Sequence, residues 1–191
     1  GADIGLRTVD DSDIVRKQLG RRALQPFQVM RRCPAGFPMV IESRPLSVRD
    51  RDPSNDGGDV RVFTTLYWLT CPLMSRHISR YESAGWISRL EKTCEGDAEM
   101  SAQLDQLHLE YSKRRRNAVE QMDDSPRNSI NPNMTKSLES TGIAGVADRA
   151  RVKCLHAHAA YHLVRGDHPF FKSFPELLAD DSSCRECESA S

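Results

Sequence analysis

One ten-residue segment, residues 153–162, combines one thiol and three imidazoles in a stretch that contains no acidic residue and a single lysine. The thiol belongs to Cys154, and the imidazoles belong to His156, His158 and His162. Thiolate and imidazole are the protein ligands that zinc prefers, in sets of three or four. Core thiols and hydrogen-bonded core histidines without special chemistry are the plainer interpretation of such residues. Their clustering favours a metal or thiol site.

The segment allows two helical registers, and these registers place the side chains differently. If residues 153–164 are helical, Cys154, His158 and His162 lie on one face, because positions four apart are neighbours, and His156 points roughly the other way. If the helix begins one or two residues after Cys154, that cysteine lies at or near the N-cap. Cys154 and His156 can then bind one ion from the first turn. The sequence leaves both registers open.

Two cysteines upstream, each directly before a proline, can complete the ligand set. We predict that a zinc-type ion is bound by Cys33, Cys71, Cys154 and His156, with His158 as the substitute ligand. Four protein ligands would make the metal structural. Three ligands and an open position would allow it to activate water for hydrolysis. The sequence does not decide between a structural and a hydrolytic metal.

A thiol-dependent enzyme is the principal alternative. A cysteine at a helix N-terminus faces the positive end of the helix dipole, which lowers its pKa, and nearby cations lower it further. Cys71 fits this description, since Arg76 and His77 follow one turn later. The candidate catalytic residues are Cys71 or Cys154 as the nucleophile and a histidine such as His156 as the base. No carboxylate pair, triad spacing or cofactor loop identifies a reaction or a substrate.

The composition limits the classes of partner and location. Lys+Arg and Asp+Glu balance at 27 each, so bulk positive charge does not attract nucleic acid, and we expect no nucleic-acid partner. No apolar run approaches the length of a transmembrane helix, and the first residues show neither the basic nor the apolar part of a signal peptide. We therefore expect a cytoplasmic protein without a membrane-spanning segment. Four of the six cysteines are far apart and the last two form a Cys-x-x-Cys pair, and in such a protein all are expected to be reduced.

The residue patterns predict an α+β fold in which a small sheet, made of a hairpin and one further strand, packs with several helices. Alternating apolar residues predict strands over 27–33 and 38–42, joined by a turn that contains proline and glycine. The β-branched and aromatic residues of 60–70 predict a third, largely buried strand. A helix is predicted to follow Cys71, because the proline after it suits the first helical position.

The longest predicted helix covers residues 97–122, where apolar residues follow a stripe with helical spacing. Its basic run at 114–116 is expected to be exposed or to pack against acidic groups. If the chain is a non-catalytic module for protein–protein interaction, this helix is the candidate surface for a protein partner.

The domain organisation is predicted to be simple. Residues 1–179 form a single α+β domain with mobile loops near 44–59 and 123–149, where polar, proline and glycine residues are frequent. Residues 180–191 form a polar, disordered tail, and the Cys-x-x-Cys pair within it is expected to be incidental.

Five motifs occur in order along the chain. They are Gln18-Leu19-Gly20-Arg21, Arg32-Cys33-Pro34-Ala35-Gly36-Phe37-Pro38, Phe63-Thr64-Thr65-Leu66-Tyr67-Trp68-Leu69-Thr70-Cys71-Pro72, Ser79-Arg80-Tyr81-Glu82-Ser83-Ala84-Gly85 and Val152-Lys153-Cys154-Leu155-His156-Ala157-His158. Together they resemble a bacterial family of uncharacterised proteins, domain-of-unknown-function family 501, over about residues 10–170. The resemblance implies a cytoplasmic location and no particular activity. The chain departs from the family pattern in the loop at 47–59 and in Asp167-His168-Pro169-Phe170, where the family has Asn-Pro-x-Gly.

Overall fold

The computed structural model describes residues 10–21, 26–48, 60–122 and 127–180, together with positions 182, 184, 185 and 187. Within these residues five short strands and seven α-helices confirm the predicted α+β class. The strands are β1 (Phe27–Arg32), β2 (Pro38–Ser43), β3 (Leu46–Val48), β4 (Val60–Val62) and β5 (Tyr67–Leu69). The helices are α1 (Asp11–Leu19), α2 (Pro72–Ser83), α3 (Trp86–Gly96), α4 (Ala98–Glu120), α5 (Pro132–Ser140), α6 (Leu155–Arg165) and α7 (Pro169–Ser173). Two single-turn 3-10 helices lie at Ile143–Gly145 and Pro175–Leu177.

The hairpin predicted from the alternating residues is present. Strand β1 pairs antiparallel with one edge of β2, and β5 pairs with the other edge. The N–H of Cys33 donates to the Phe37 carbonyl (2.9 Å), and the N–H of Gly36 donates to the Cys33 carbonyl (2.8 Å). Gly36 has a φ of 87°, in the left-handed region that favours glycine. Cys33 therefore lies at the closed end of the hairpin.

The third strand differs from the sequence prediction. Instead of one strand over residues 60–70, β4 pairs with β3 in a separate sheet, and β5 joins the hairpin. The backbone between them bonds to side chains of α4. The Tyr111 hydroxyl accepts from the N–H of Leu66 (2.7 Å), and Arg115 donates to the Thr64 carbonyl (2.7 Å). These bonds take the place of strand pairing, and local β-propensity does not predict them.

The long helix is confirmed, and its basic run differs from expectation. Asp97 caps α4 by accepting from the N–H of Met100 (2.9 Å). Arg115, in the middle of the basic run, is fully buried, whereas Arg114 and Arg116 are exposed. The partners of Arg115 are backbone carbonyls instead of acidic side chains. Whether α4 also binds another protein stays a prediction.

The connection at 123–149 was expected to be irregular, yet it contains α5 and the first 3-10 helix. Asn131 caps α5 by accepting from the N–H of Met134 (3.0 Å), and Pro132 takes the first helical position. Leu138 on α5 is buried and packs in a small second hydrophobic core. Of the predicted loops, residues 49–59 and 123–126 lie outside the described part of the chain.

Helix α6 occupies the centre of the main core, in contact with β5, α2 and the first 3-10 helix. Its buried face is made largely of small residues, Ala157, Ala159 and Ala160, which allow neighbouring elements to approach closely. This packing places the N-terminal end of α6 beside α2. In the described part of the chain, no helix has both the length and the apolar character needed to cross a membrane.

Candidate metal centre

The structure selects the second of the two registers of the Cys/His segment. Helix α6 begins at Leu155, and Cys154 is its N-cap residue with extended backbone (φ −156°). The Cys154 side chain makes no capping hydrogen bond, so its thiol is directed to other partners. His156, in the first turn, is one of these: its Nδ1 lies 3.8 Å from the Cys154 sulfur. Cys154 and His156 are therefore adjacent in space as well as in sequence.

Helix α2 supplies a carboxylate to the same point. Oxygen Oε1 of Glu82 accepts a hydrogen bond from the Leu155 N–H (2.6 Å) and lies 3.3 Å from Nδ1 of His156. The first contact satisfies one of the N–H groups that a helix N-terminus leaves without an internal partner. It also fixes the position of the carboxylate against α6. One ligand atom from each of Glu82, Cys154 and His156 lies within 4.8 Å of the other two.

The other ring nitrogen of His156 determines which nitrogen can bind a metal. Nε2 lies 3.1 Å from the Ser75 carbonyl and 3.1 Å from the Ser79 hydroxyl. A carbonyl can only accept, so Nε2 carries a proton and donates it. In the neutral imidazole, the lone pair then belongs to Nδ1, which faces Cys154 and Glu82. Metal-bound histidines usually donate their second N–H to a carbonyl or carboxylate in this way.

The two separations measured from Nδ1 of His156 are close to those of a tetrahedral shell. Zinc bonds of about 2.0 Å to nitrogen, 2.1 Å to oxygen and 2.3 Å to sulfur place the nitrogen about 3.4 Å from the oxygen and about 3.5 Å from the sulfur. The corresponding distances from His156 Nδ1 are 3.3 Å to Glu82 and 3.8 Å to Cys154. The protein therefore holds the His156 nitrogen near both other ligands at metal-site separations, with all three ligand atoms within 4.8 Å of one another.

Electrostatics at the group favour positive charge. The hydrogen bond to the Cys154 sulfur and, to a smaller extent, the Glu82 carboxylate raise the pKa of His156 to about 9, despite the opposing effect of burial. A proton on Nδ1 thus occupies the position that a metal would take. The side chains of His156 and Glu82 are 27% and 25% exposed, so the group borders solvent.

Cys71 lies at the predicted position before α2, but the pKa of its thiol is raised instead of lowered. It is the N-cap residue of α2, directly before a proline at the first helical position. The cysteine is only 5% exposed, and burial raises the pKa of its thiol to about 11. Such a thiol is protonated at neutral pH, which disfavours the hypothesis of a Cys71 nucleophile. Among the described residues, neither Cys33 nor Cys71 belongs to a group of three ligand atoms as close as the one around His156.

His158, predicted as the substitute ligand, belongs to a separate set of buried histidines. Its Nδ1 lies 2.8 Å from Nε2 of His168, and its ring meets the ring of His108 edge-on, with centroids 5.6 Å apart. Burial lowers the pKa of His108 to about 4 and holds the pKa values of the other two well below the usual range. All three rings are therefore neutral at pH 7. The Nε2 atoms of His158 and His108 make no hydrogen bond to any described residue.

Sequence reasoning missed three members of the site, Ser75, Ser79 and Glu82. Glu82 lies far from Cys154 in the sequence, so only the packing of α2 against α6 brings them together. Ser75, Ser79 and Glu82 are spaced four and three residues apart, which places them on one face of a helix. That spacing, next to a predicted Cys/His segment, is the signal from which the site could have been assembled.

Comparison with protein families identifies a family to which the chain is similar. The model of the family described as "Protein of unknown function (DUF501)" matches residues 29–173, well over half of the chain. The matched region contains Glu82, Cys154 and His156 together with both helices that carry them. Neither a curated protein nor a solved structure gives a significant match to the chain. The chain belongs to this family of proteins of unknown function, as its sequence motifs predicted.

Proposed function

We propose that the protein binds one zinc-type ion through Glu82 Oε1, Cys154 Sγ and His156 Nδ1 and uses it for hydrolysis. The observation that carries the proposal is the convergence of three different ligand atoms from two elements, at separations of 3.3 and 3.8 Å from the imidazole nitrogen. The orientation of His156 supports it, because Nε2 is held by Ser75 while the lone pair of the neutral ring faces the other two ligands.

The number of ligands favours a hydrolytic centre over a structural one. Structural zinc sites are closed by four protein ligands, whereas catalytic sites have three and keep one position for water or substrate. The group has three ligands and borders solvent, since His156 and Glu82 are about a quarter exposed. Zinc lowers the pKa of a bound water from 15.7 to about 7, which makes it a nucleophile at neutral pH. The mixture of thiolate, imidazole and carboxylate suits zinc better than magnesium or calcium, which prefer oxygen alone.

A second candidate function is thiol catalysis at Cys154, and one observation favours it. The imidazole 3.8 Å from the sulfur has its pKa raised to about 9, so at neutral pH it is a cation beside the thiol. A neighbouring cation and a helix N-terminus both stabilise a thiolate. In this alternative Cys154 is the nucleophile, His156 is its proton partner, and no metal is required.

Zinc titration of the purified, metal-free protein separates the two functions. We expect Cys154→Ser and Glu82→Gln to weaken binding at this site by about 100-fold, because the loss of an outer-shell partner alone typically costs 10–100-fold. Glu91→Gln is the matched control. The Glu91 carboxylate on α3 also accepts a backbone N–H just before α6, that of Val152 (2.9 Å), but it does not belong to the ligand group. This variant should bind zinc like the wild type.

Alkylation of Cys154 by iodoacetamide gives the complementary readout. The metal proposal predicts that zinc protects this thiol in the wild type and fails to protect it in Glu82→Gln. If zinc binding is unaffected by both ligand substitutions, the metal proposal is wrong. Rapid alkylation that depends on His156 and is insensitive to zinc would instead support the thiol enzyme.

A further inference from the structure

The two cysteines predicted to join the metal site, Cys33 and Cys71, are close to the Cys-x-x-Cys pair of the C-terminal segment. Cys187 is buried, at 7% exposed, although it lies in a polar tail. Its thiol and that of Cys184 are near enough to Cys71 to act on it electrostatically. The C-terminal segment thus approaches the N-terminal end of α2, where Cys71 lies.

One side chain connects this end of α2 with the tail and the hairpin. The Nε2 atom of Gln18, on α1, donates to the Cys187 sulfur (3.3 Å) and to the Pro38 carbonyl (2.8 Å). The same carbonyl accepts from the Thr70 hydroxyl (3.1 Å), and the N–H of Cys71 donates to the next carbonyl of β2 (3.3 Å). Cys71 directly, and Cys187 through Gln18, are therefore linked to neighbouring carbonyls of β2.

The fourth thiol approaches from the closed end of the hairpin. The N–H of Cys33 donates to the carbonyl of Phe37, the residue directly before Pro38 (2.9 Å). The Cys33 side chain is partly buried and packs against the main core, to which Cys71 belongs. The turn after Cys33 contains proline and a glycine with positive φ, so the backbone that carries the thiol is fixed at a tight bend.

The start of the tail is also held near Cys71. The backbone N–H of Ala179 donates to the sulfur of Met74, which lies in the first turn of α2 (3.3 Å). Only four residues separate Ala179 from Cys184. The chain is therefore held within one helical turn of Cys71 shortly before the Cys-x-x-Cys pair.

We propose that Cys33, Cys71, Cys184 and Cys187 form a second metal site, a tetrathiolate centre for a zinc-type divalent cation. Soft thiolate ligands in a tetrahedral set are characteristic of zinc and iron. Such sets commonly include a pair of ligands with two residues between them. Here two single cysteines would complete the set. Four protein ligands make this centre structural, in contrast to the three-ligand group at His156.

Metal binding draws the tail inward. A tetrathiolate zinc shell requires sulfur–sulfur separations of about 3.8 Å, given zinc–sulfur bonds of about 2.3 Å. Among the described residues, no three of these sulfur atoms lie within 4.8 Å of one another. Binding of the cation therefore requires the four thiols to move closer together. Cation binding then fixes the C-terminal segment on α1, α2 and the hairpin.

Cobalt substitution of the full-length protein tests this site separately from the His156 site. Co²⁺ bound to four thiolates gives a thiolate-to-cobalt charge-transfer band about four times as intense as Co²⁺ bound to one. We expect two equivalents of Co²⁺ in the wild type, and one equivalent with roughly a fifth of the band intensity in Cys184→Ala/Cys187→Ala. The tail variant avoids the folding defect that replacement of buried Cys71 risks. Cys94→Ala, which removes a buried thiol on α3, is the matched control and should bind like the wild type.

The same titration decides the outcome. Loss of one equivalent in the tail variant, with the Cys154→Ser variant losing the other, supports two independent sites. The proposal is overturned if the tail variant keeps the wild-type stoichiometry and band intensity. It is also overturned if reduced wild-type protein binds metal only at the site that Cys154→Ser removes. Failure of the His156 site alone would leave the tetrathiolate spectrum intact.

Discussion

Replacement of Arg115 by methionine removes the buried cation that joins α4 to the segment around α5. The guanidinium is fully buried and donates to the carbonyls of Leu138 (2.8 Å) and Thr64 (2.7 Å), and it makes a short hydrogen bond to the carbonyl of Thr141. Two of these acceptors lie at the C-terminal end of α5, whose last carbonyls have no helical partner. Arg115 therefore acts as a C-terminal cap supplied by another helix.

The size of the effect follows from those acceptors. A buried polar group without a partner costs about 1–3 kcal/mol, so three such carbonyls give about 3–9 kcal/mol. Methionine fills the same space with apolar surface, and we expect a net destabilisation of about 3–5 kcal/mol by Arg115→Met. At a typical m-value of about 2 kcal/mol/M, the midpoint of urea unfolding falls by about 1.5–2.5 M.

Urea unfolding followed by circular dichroism measures this change. Arg116→Met is the control, since it makes the same substitution one residue later at an exposed position and is expected to change stability by less than about 0.5 kcal/mol. If Arg115→Met is too unstable to purify, Arg115→Lys, which keeps the charge and loses the planar fork, should fall between the two. Stability of Arg115→Met within about 1 kcal/mol of Arg116→Met would refute the capping role.

Two further predictions concern the buried histidines. The folded-state pKa of His108 is lowered from 6.5 to about 4 by burial, so the unfolded chain binds more protons below pH 6.5. The contribution of neutral His108 to the free energy of unfolding is fully present above pH 6.5. It is lost as the pH falls towards 4, by up to about 3 kcal/mol. His108→Asn keeps an acceptor for the Ile143 N–H (2.9 Å) and should show a shallower loss between pH 6.5 and 4; an unchanged slope would contradict this assignment. Gly142→Ala should destabilise by about 1–3 kcal/mol, because its Cβ would lie 2.3 Å from Nδ1 of His108. Gly96→Ala, which meets nothing within 4 Å, is its control, and equal stability of the two variants in urea would show that the His108 ring can move aside.

The local part of the site was predictable from the sequence, and the long-range part was not. The proximity of Cys154 to His156 depends only on where α6 begins, and one of the two registers allowed by the sequence already brought them together. Glu82 joins them through helix packing, for which a single sequence carries no direct signal. The hairpin and α4 were predicted from the spacing of apolar residues, because that spacing reflects the repeat of a strand or a helix.

The departures from the predicted fold have a common cause in tertiary hydrogen bonds. The strand predicted over 60–70 is divided because Tyr111 and Arg115 bind its middle residues. Arg115 is buried because carbonyls of α5 surround it, although a basic run on a helix usually faces solvent. Secondary-structure propensity and side-chain charge indicate the conformation and the exposure that a segment prefers in isolation. The tertiary hydrogen bonds override both preferences here.

The coordination shell of bound zinc tests the central claim most directly. X-ray absorption at the zinc edge, applied to the zinc-loaded Cys184→Ala/Cys187→Ala variant, reports the ligands of the site formed by Glu82, Cys154 and His156 alone. We expect one sulfur at about 2.3 Å and about three nitrogen or oxygen ligands at 2.0–2.1 Å, with the sulfur lost on further replacement of Cys154 by serine. A protein that retains no zinc, or a shell without sulfur, would contradict the account.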